Sequence, residues 1–179
     1  VLTYFKSAPM DAVAFEGTLE RWAMFPKDRP GEVVLVGRLL NEDAGEALPG
    51  PRTPSGTDWL LFEIADRPDS IRPLRLRSTP MERGERVFVV GWRYNEADRP
   101  QIVREGRFVR LDGESLLIDV DELADNTVPG LSGAPVIDSR GYVVGLMSKK
   151  AGRLQRVASV EYARAIIDTR VRTPTPSRP

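Results

Sequence analysis

The sequence contains no histidine and no cysteine. Without cysteine there is no disulfide, no thiolate nucleophile and no thiolate metal ligand. Without histidine the chain lacks the side chain that most often carries protons near neutral pH. The two absences together argue against a transition-metal site, because carboxylates alone make poor zinc ligands, and no cofactor is expected. An excess of either charge is missing too: 26 basic residues balance 26 acidic ones. Neither a nucleic acid nor a membrane surface is therefore an expected partner. No apolar run approaches the roughly 20 residues of a spanning helix. The chain opens Val1-Leu2-Thr3, with neither an initiator methionine nor the charged start of a signal peptide. That opening reads as a domain of a longer protein. The compartment stays unassigned, with the missing cysteine and leader favouring the cytoplasm.

What is present is an ample apolar fraction, 41% of 179 residues, enough for one large domain or two small packed halves. Short apolar runs are separated by turn signals. Ala12 to Glu16 alternates, and Leu19 to Phe25 could be its neighbour. Pro26 to Gly31 is a turn, Val33 to Val36 a buried strand, and Asn41 to Thr57 a long surface loop. Strands are expected at Asp58–Ile64, Gly84–Trp92, Ile102–Leu111, Ser115–Val120 and Leu154–Ala158, with a short extended piece at Pro73–Leu76. Asp112-Gly113 is a hairpin signal. Ser159 caps a predicted helix, Val160 to Thr169, with Tyr162, Ala163, Ile166 and Ile167 as its apolar stripe. About ten short strands and one terminal helix, without strand–helix alternation, predict an all-β chain: an antiparallel barrel or sandwich pair. Residues 1–170 form the expected domain and the Pro-rich residues 171–179 a tail or linker.

One stretch carries chemistry: Thr127-Val128-Pro129-Gly130-Leu131-Ser132-Gly133-Ala134-Pro135-Val136-Ile137-Asp138. Gly130 and Gly133 permit a tight bend with Ser132 at its apex. Such a bend can aim successive backbone N–H groups into one concavity, the geometry of an oxyanion hole. A turn, Asp138 to Gly141, and a second apolar run, Tyr142 to Ser148, would form a hairpin that holds the bend. The bland alternative is a turn serine in a hairpin. An α/β-hydrolase elbow fits less well, since it needs Gly-x-Ser-x-Gly between a strand and a helix.

Three blocks resemble the chymotrypsin/trypsin-like serine proteases, especially the bacterial branches that include heat-shock proteases and glutamyl endopeptidases. Gly130-Leu131-Ser132-Gly133-Ala134-Pro135-Val136 is similar to the nucleophile motif, with Ala134 in place of the second glycine. Asp138 to Leu146 is similar to the hairpin behind it. Asp58-Trp59-Leu60-Leu61, 74 residues ahead of Ser132, resembles the block of the triad aspartate. A fourth block departs: Val1-Leu2-Thr3-Tyr4-Phe5-Lys6 places Lys6 where the family has its histidine. The resemblance implies two antiparallel six-stranded-type barrels with a C-terminal helix, the first barrel either lacking its opening strands or completed by a segment outside this sequence. It implies Ser132, Asp58 and Lys6 at the catalytic positions, and the Gly130 and Ser132 N–H groups as oxyanion donors. Asn126 and Thr127 match the specificity-pocket wall, and Ser148, Lys149 and Lys150 the strand that pairs with substrate backbone. The two lysines could favour acidic peptides. Leu131 stands where activation by a new amino terminus requires an aspartate, so that route is not implied.

A lysine base would need its pKa brought from about 10.4 to about 7, a cost of roughly 4–5 kcal/mol. Burial can supply this, but a neighbouring Asp58 carboxylate would oppose it. The expectation is therefore a degenerate protease module that binds peptide or protein, or regulates, within a larger polypeptide or complex. The alternative is an active serine endopeptidase using Ser132 with Lys6, or with a histidine from a missing segment or partner chain.

Overall fold

A computed structural model describes residues 23–40, 59–96, 98–124 and 130–172. Lys6, Asp58, Asn126, Thr127, the predicted strand at Ala12–Glu16 and the predicted loop Asn41–Thr57 lie outside the described residues. The described residues form two compact units, 74–164 with Trp59 in one, and 23–40, 60–73 and 165–172 in the other.

The smaller sheet is three-stranded and antiparallel: β1 (Ala23–Met24), β2 (Val34–Leu39) and β3 (Phe62–Asp66), in that order. Its registers include Ala23 opposite Leu35 and Val36 opposite Ile64. The turn between β1 and β2 is closed by the Arg29 N–H on the Pro26 carbonyl, 3.1 Å. The third strand begins at Phe62 rather than at the predicted Asp58, because the β2 ladder meets it only from Leu39 opposite Phe62.

The larger unit is a closed six-stranded antiparallel barrel: β4 (Arg86–Val90), β5 (Val103–Asp112), β6 (Ser115–Asp119), β7 (Pro135–Asp138), β8 (Val143–Ala151) and β9 (Leu154–Ser159), in the order β4-β5-β6-β9-β8-β7. The two-residue periodicity of strands explains its core. Val87 and Val89 point inward from β4, Phe108 from β5, Leu116 and Ile118 from β6, and Val136, Val144 and Val157 from β7, β8 and β9. The predicted hairpin forms at Asp112 opposite Ser115, with Gly113 at φ +61° in its turn. The predicted extended piece near Leu76 bridges Val143 in parallel.

A helix, α1 (Val160–Arg172), closes the described chain. Its start is as expected: the Glu161 N–H donates to the Ser159 hydroxyl, 3.3 Å. It runs past the predicted end at Thr169, since Arg170 and Arg172 favour helix and the first proline comes only at Pro174. Ala163 and Ile166 are buried, but Ile167 is exposed, so the apolar stripe is narrower than predicted. Among the described residues no helix is long and apolar enough to cross a membrane.

Candidate active site on the barrel

The loop that enters β7 is shaped by its glycines. The Ala134 N–H donates to the Leu131 carbonyl at 2.9 Å, closing a four-residue turn. Gly133 holds φ +84° at its third position, the value a type II turn demands and only glycine adopts without strain. Ser132 therefore stands at an exposed corner. Leu131 points the other way and is fully buried in the barrel core. At that position an unpartnered carboxylate would lose its hydration, whereas leucine gains from burial.

Gly130 is required for a second reason. It has φ +97°, and a side chain there would lie 2.7 Å from the Tyr94 amide nitrogen and 3.1 Å from the Arg93 carbonyl carbon. The serine loop thus leans directly on the backbone of Arg93 and Tyr94. The Tyr94 ring itself is exposed beside it.

The loop's amides divide into two sets. The Gly133 N–H donates to the Met147 carbonyl, 2.7 Å, and the Ala134 N–H is used in the turn. The Gly130 and Ser132 N–H groups have no acceptor among the described residues, the condition for donating to an oxygen from outside. The Ser132 hydroxyl donates to the Ser148 carbonyl at 3.3 Å, a long contact for a hydroxyl donor. That carbonyl sits at an irregularity of β8, between Met147 opposite Val157 and Lys149 opposite Arg156. Bulges of this kind re-aim backbone groups.

Ser148, Lys149 and Lys150 follow on the same strand. The β7 register along β8 ends at Leu146, while β9 accompanies it to Ala151. Lys149 is exposed, and Lys150 donates through Nζ to the Ala124 carbonyl, 2.8 Å. Of the sequence-predicted site residues, the structure thus places Gly130, Ser132 and Ser148 together, with Lys149 and Lys150 along the adjoining strand.

Sequence reasoning missed an ionic network behind this loop. Glu96, in a 3-10 turn (Tyr94–Glu96), is buried. One carboxylate oxygen accepts from Arg93 Nε at 2.9 Å, and the other from the Arg93 amide at 2.8 Å. Arg104 Nη2, from β5, donates to both oxygens at 2.6 Å. Arg104 is 1% exposed, also donates to the Gly91 carbonyl, and pairs with Glu122 through Nε. The side-chain and backbone bonds from Arg93, with Arg104 in addition, outweigh the cost of burial and lower the Glu96 pKa to about 2. Arg93 and Glu96, three residues apart, with an arginine between Val103 and Gly106, were the available signals.

Comparisons with known proteins fit this picture. A family model described as the trypsin-like peptidase domain matches residues 12–146, a span that contains Asp58 and Ser132 but begins after Lys6. Comparison with curated proteins gives no match. Among solved structures, the inactive form of the Rv3671c protease, from M. tuberculosis, is 17% identical with a TM-score of 0.55, covering 82% of this chain and 70% of that one. Kallikrein-related peptidase 10 is 13% identical with a TM-score of 0.58, covering 79% and 74%. A serine endoprotease from Yersinia pestis is 14% identical with a TM-score of 0.57, covering 87% and 50%.

Proposed function

This chain belongs to the trypsin-like peptidase family, and on that footing we propose that it is a degenerate protease module. It keeps the nucleophile position and a peptide groove, lacks a general base of its own, and works by binding peptide or protein within a larger polypeptide or complex. Ser132 occupies the nucleophile position and Asp58 the triad-aspartate position. The Gly130 and Ser132 amides take the oxyanion role. Asn126 and Thr127 line the specificity pocket, and Ser148, Lys149 and Lys150 run beside the bound peptide backbone, where the lysines favour acidic side chains.

The observation that carries this reading is where the serine proton goes. In a chain without histidine, the Ser132 hydroxyl donates to a backbone carbonyl, that of Ser148. A carbonyl orients a hydroxyl but cannot take its proton. Loss of the histidine base from a serine protease lowers turnover about a millionfold, leaving only what the oxyanion hole and binding supply. Peptide binding does not need the base, so recognition can outlast catalysis.

A fluorophosphonate–rhodamine probe tests the reading directly. The expected result is no labelling of Ser132 above background at neutral pH, while fluorescein-labelled acidic hexapeptides bind with measurable polarisation change and lose affinity when Lys149 and Lys150 are replaced by alanine. Rapid labelling that disappears in Ser132→Ala would overturn it in favour of an active endopeptidase. Loss of that labelling in Lys6→Ala would then identify the base.

A further inference from the structure

The serine loop rests on Arg93 and Tyr94, just beyond the point where strand pairing holds the chain to the barrel. The β4–β5 pairing ends at Gly91, whose N–H donates to the Ile102 carbonyl at 3.1 Å, and the Trp92 indole then reaches the Arg99 and Pro100 carbonyls; residues 93–96 run on to the 3-10 turn outside the strands. Yet the backbone of Arg93 and Tyr94 is what Gly130 packs against, closely enough that a single added carbon would collide. Something must fix that segment to within a fraction of an ångström.

The side chain placed to do so is Glu96. Its carboxylate holds both the Arg93 amide and the Arg93 guanidinium, so the turn is closed on itself. Arg104 then ties the same carboxylate to β5 and, through the Gly91 carbonyl, to the end of β4. Arg104 and Glu96 are both almost fully buried, so the geometry is not shared with solvent. Charge-assisted bonds from two guanidinium groups and one amide converge on this single buried carboxylate, and such bonds are shorter and stronger than neutral ones.

We propose that Glu96, clamped between Arg93 and Arg104, is a positioning residue for the serine loop: it fixes the Arg93–Tyr94 backbone on which Gly130 rests, and through it the Gly130 and Ser132 amides. Glu96 is buried behind the loop rather than on its exposed face. Its effect on binding passes through Tyr94 and Gly130. The relevance to peptide recognition rests on the function proposed above; the mechanical coupling does not.

The test compares Glu96→Gln with Arg93→Gln and, as a control at a distant ion pair, Glu85→Gln. Backbone amide resonances and heteronuclear NOEs report each region, and polarisation with the fluorescein-labelled acidic hexapeptides reports binding. In Glu96→Gln the Gly130 and Ser132 amides are expected to shift and gain motion while core amides at Val87, Val89 and Val157 stay in place. Peptide affinity should fall about tenfold, the scale of losing charge-assisted hydrogen bonds. Arg93→Gln, at a partly exposed residue, should move the same amides less, and Glu85→Gln should leave them unmoved. If Glu96→Gln changes only residues 91–96 and leaves the Gly130 and Ser132 amides as they were, the coupling does not exist. Should Glu96→Gln fail to fold, unmoved Gly130 and Ser132 amides in Arg93→Gln refute the proposal. If the unmodified protein binds no peptide, the functional reading falls, and the amide data still decide on the clamp.

Discussion

The barrel contains two buried arginine knots built from the same chemistry. Arg104 meets Glu96 and Glu122; Arg77 meets Glu85 and Asp138. Each arginine also donates to backbone carbonyls, Gly91 in one case, Thr79 and Pro80 in the other. They differ in which backbone the carboxylate holds. Asp138 accepts the amides of Arg140 and Tyr142 and so caps the turn between β7 and β8, part of the barrel itself. Glu96 holds a turn outside the strands, and that turn carries the serine loop. One knot secures the fold; the other sets the shape of a site.

The comparison would break most visibly at Arg77. Arg77→Met takes from Asp138, 1% exposed, its nearest counter-charge and leaves only the Arg140 guanidinium, 3.9 Å away. Removing one partner of a buried pair costs up to about 3–5 kcal/mol, because the remaining buried charge loses its closest match; the Arg140 and Tyr142 amides recover part of it. Urea unfolding should register that loss, and the amides of Gly130 and Ser132 should stay unmoved at low denaturant. A loss below about 1 kcal/mol would place this pair with surface ion pairs instead and dissolve the distinction.

Gly130→Ala attacks the other side of the comparison. The left-handed backbone at φ +97° disfavours alanine by about 1–2 kcal/mol, before its contact with Tyr94 is counted. Thermal melting should fall modestly. The amides of Arg93 and Tyr94 should move strongly, because the loop and the clamped turn share one contact surface. A Gly130→Ala protein with unshifted Tyr94 resonances would separate the loop from its support.

Much of this was readable beforehand. The strand at 86–90 follows from its apolar run between glycines, those at 103–112 and 115–119 from the Asp112-Gly113 hairpin signal, and the serine corner from Gly130 and Gly133. The knots were not, because they run against the pattern. In β5 the apolar Val103 is 53% exposed while Arg104 lies inside. Hydropathy alone would turn that strand over. Its register is set instead by Gly106, where a side chain would meet the Asp119 carbonyl at 2.5 Å, and by Phe108 on the same face. Once those two face inward, the two-residue period carries Arg104 in with them, and only the folded chain shows Glu96 waiting there. The proposed roles of Lys6, Asp58, Asn126 and Thr127 rest on resemblance, as these positions lie outside the described residues.

Acid should loosen both knots, since Glu85 as well as Glu96 is held below the ordinary carboxylate range by its arginine partners. For Glu96 the window is defined. Its folded pKa is lowered from 4.5 to about 2, so its stabilising contribution is complete above pH 4.5 and fades as pH falls toward 2. Urea unfolding of the unmodified protein and of Glu96→Gln, compared across that window, should show a gap in stability that closes with acid. A gap constant down to pH 2 would mean that the carboxylate's charge is not what holds the turn.

The smallest effect serves as the yardstick for the rest. Ser159 belongs to neither knot: its hydroxyl accepts the Glu161 N–H at the start of α1. Replacing such a cap with alanine costs about 0.5–2 kcal/mol, and the 3.3 Å length of this bond argues for the lower end. Ser159→Ala should therefore lower the urea midpoint slightly and leave the Gly130 and Ser132 amides unmoved. Its value lies in the ratio. If Glu96→Gln destabilises the barrel no more than this ordinary cap yet displaces the serine-loop amides, position and stability have been separated at one residue. If the two variants instead move both quantities in the same proportion, the loop is merely reporting global loosening, and the two knots differ only in degree.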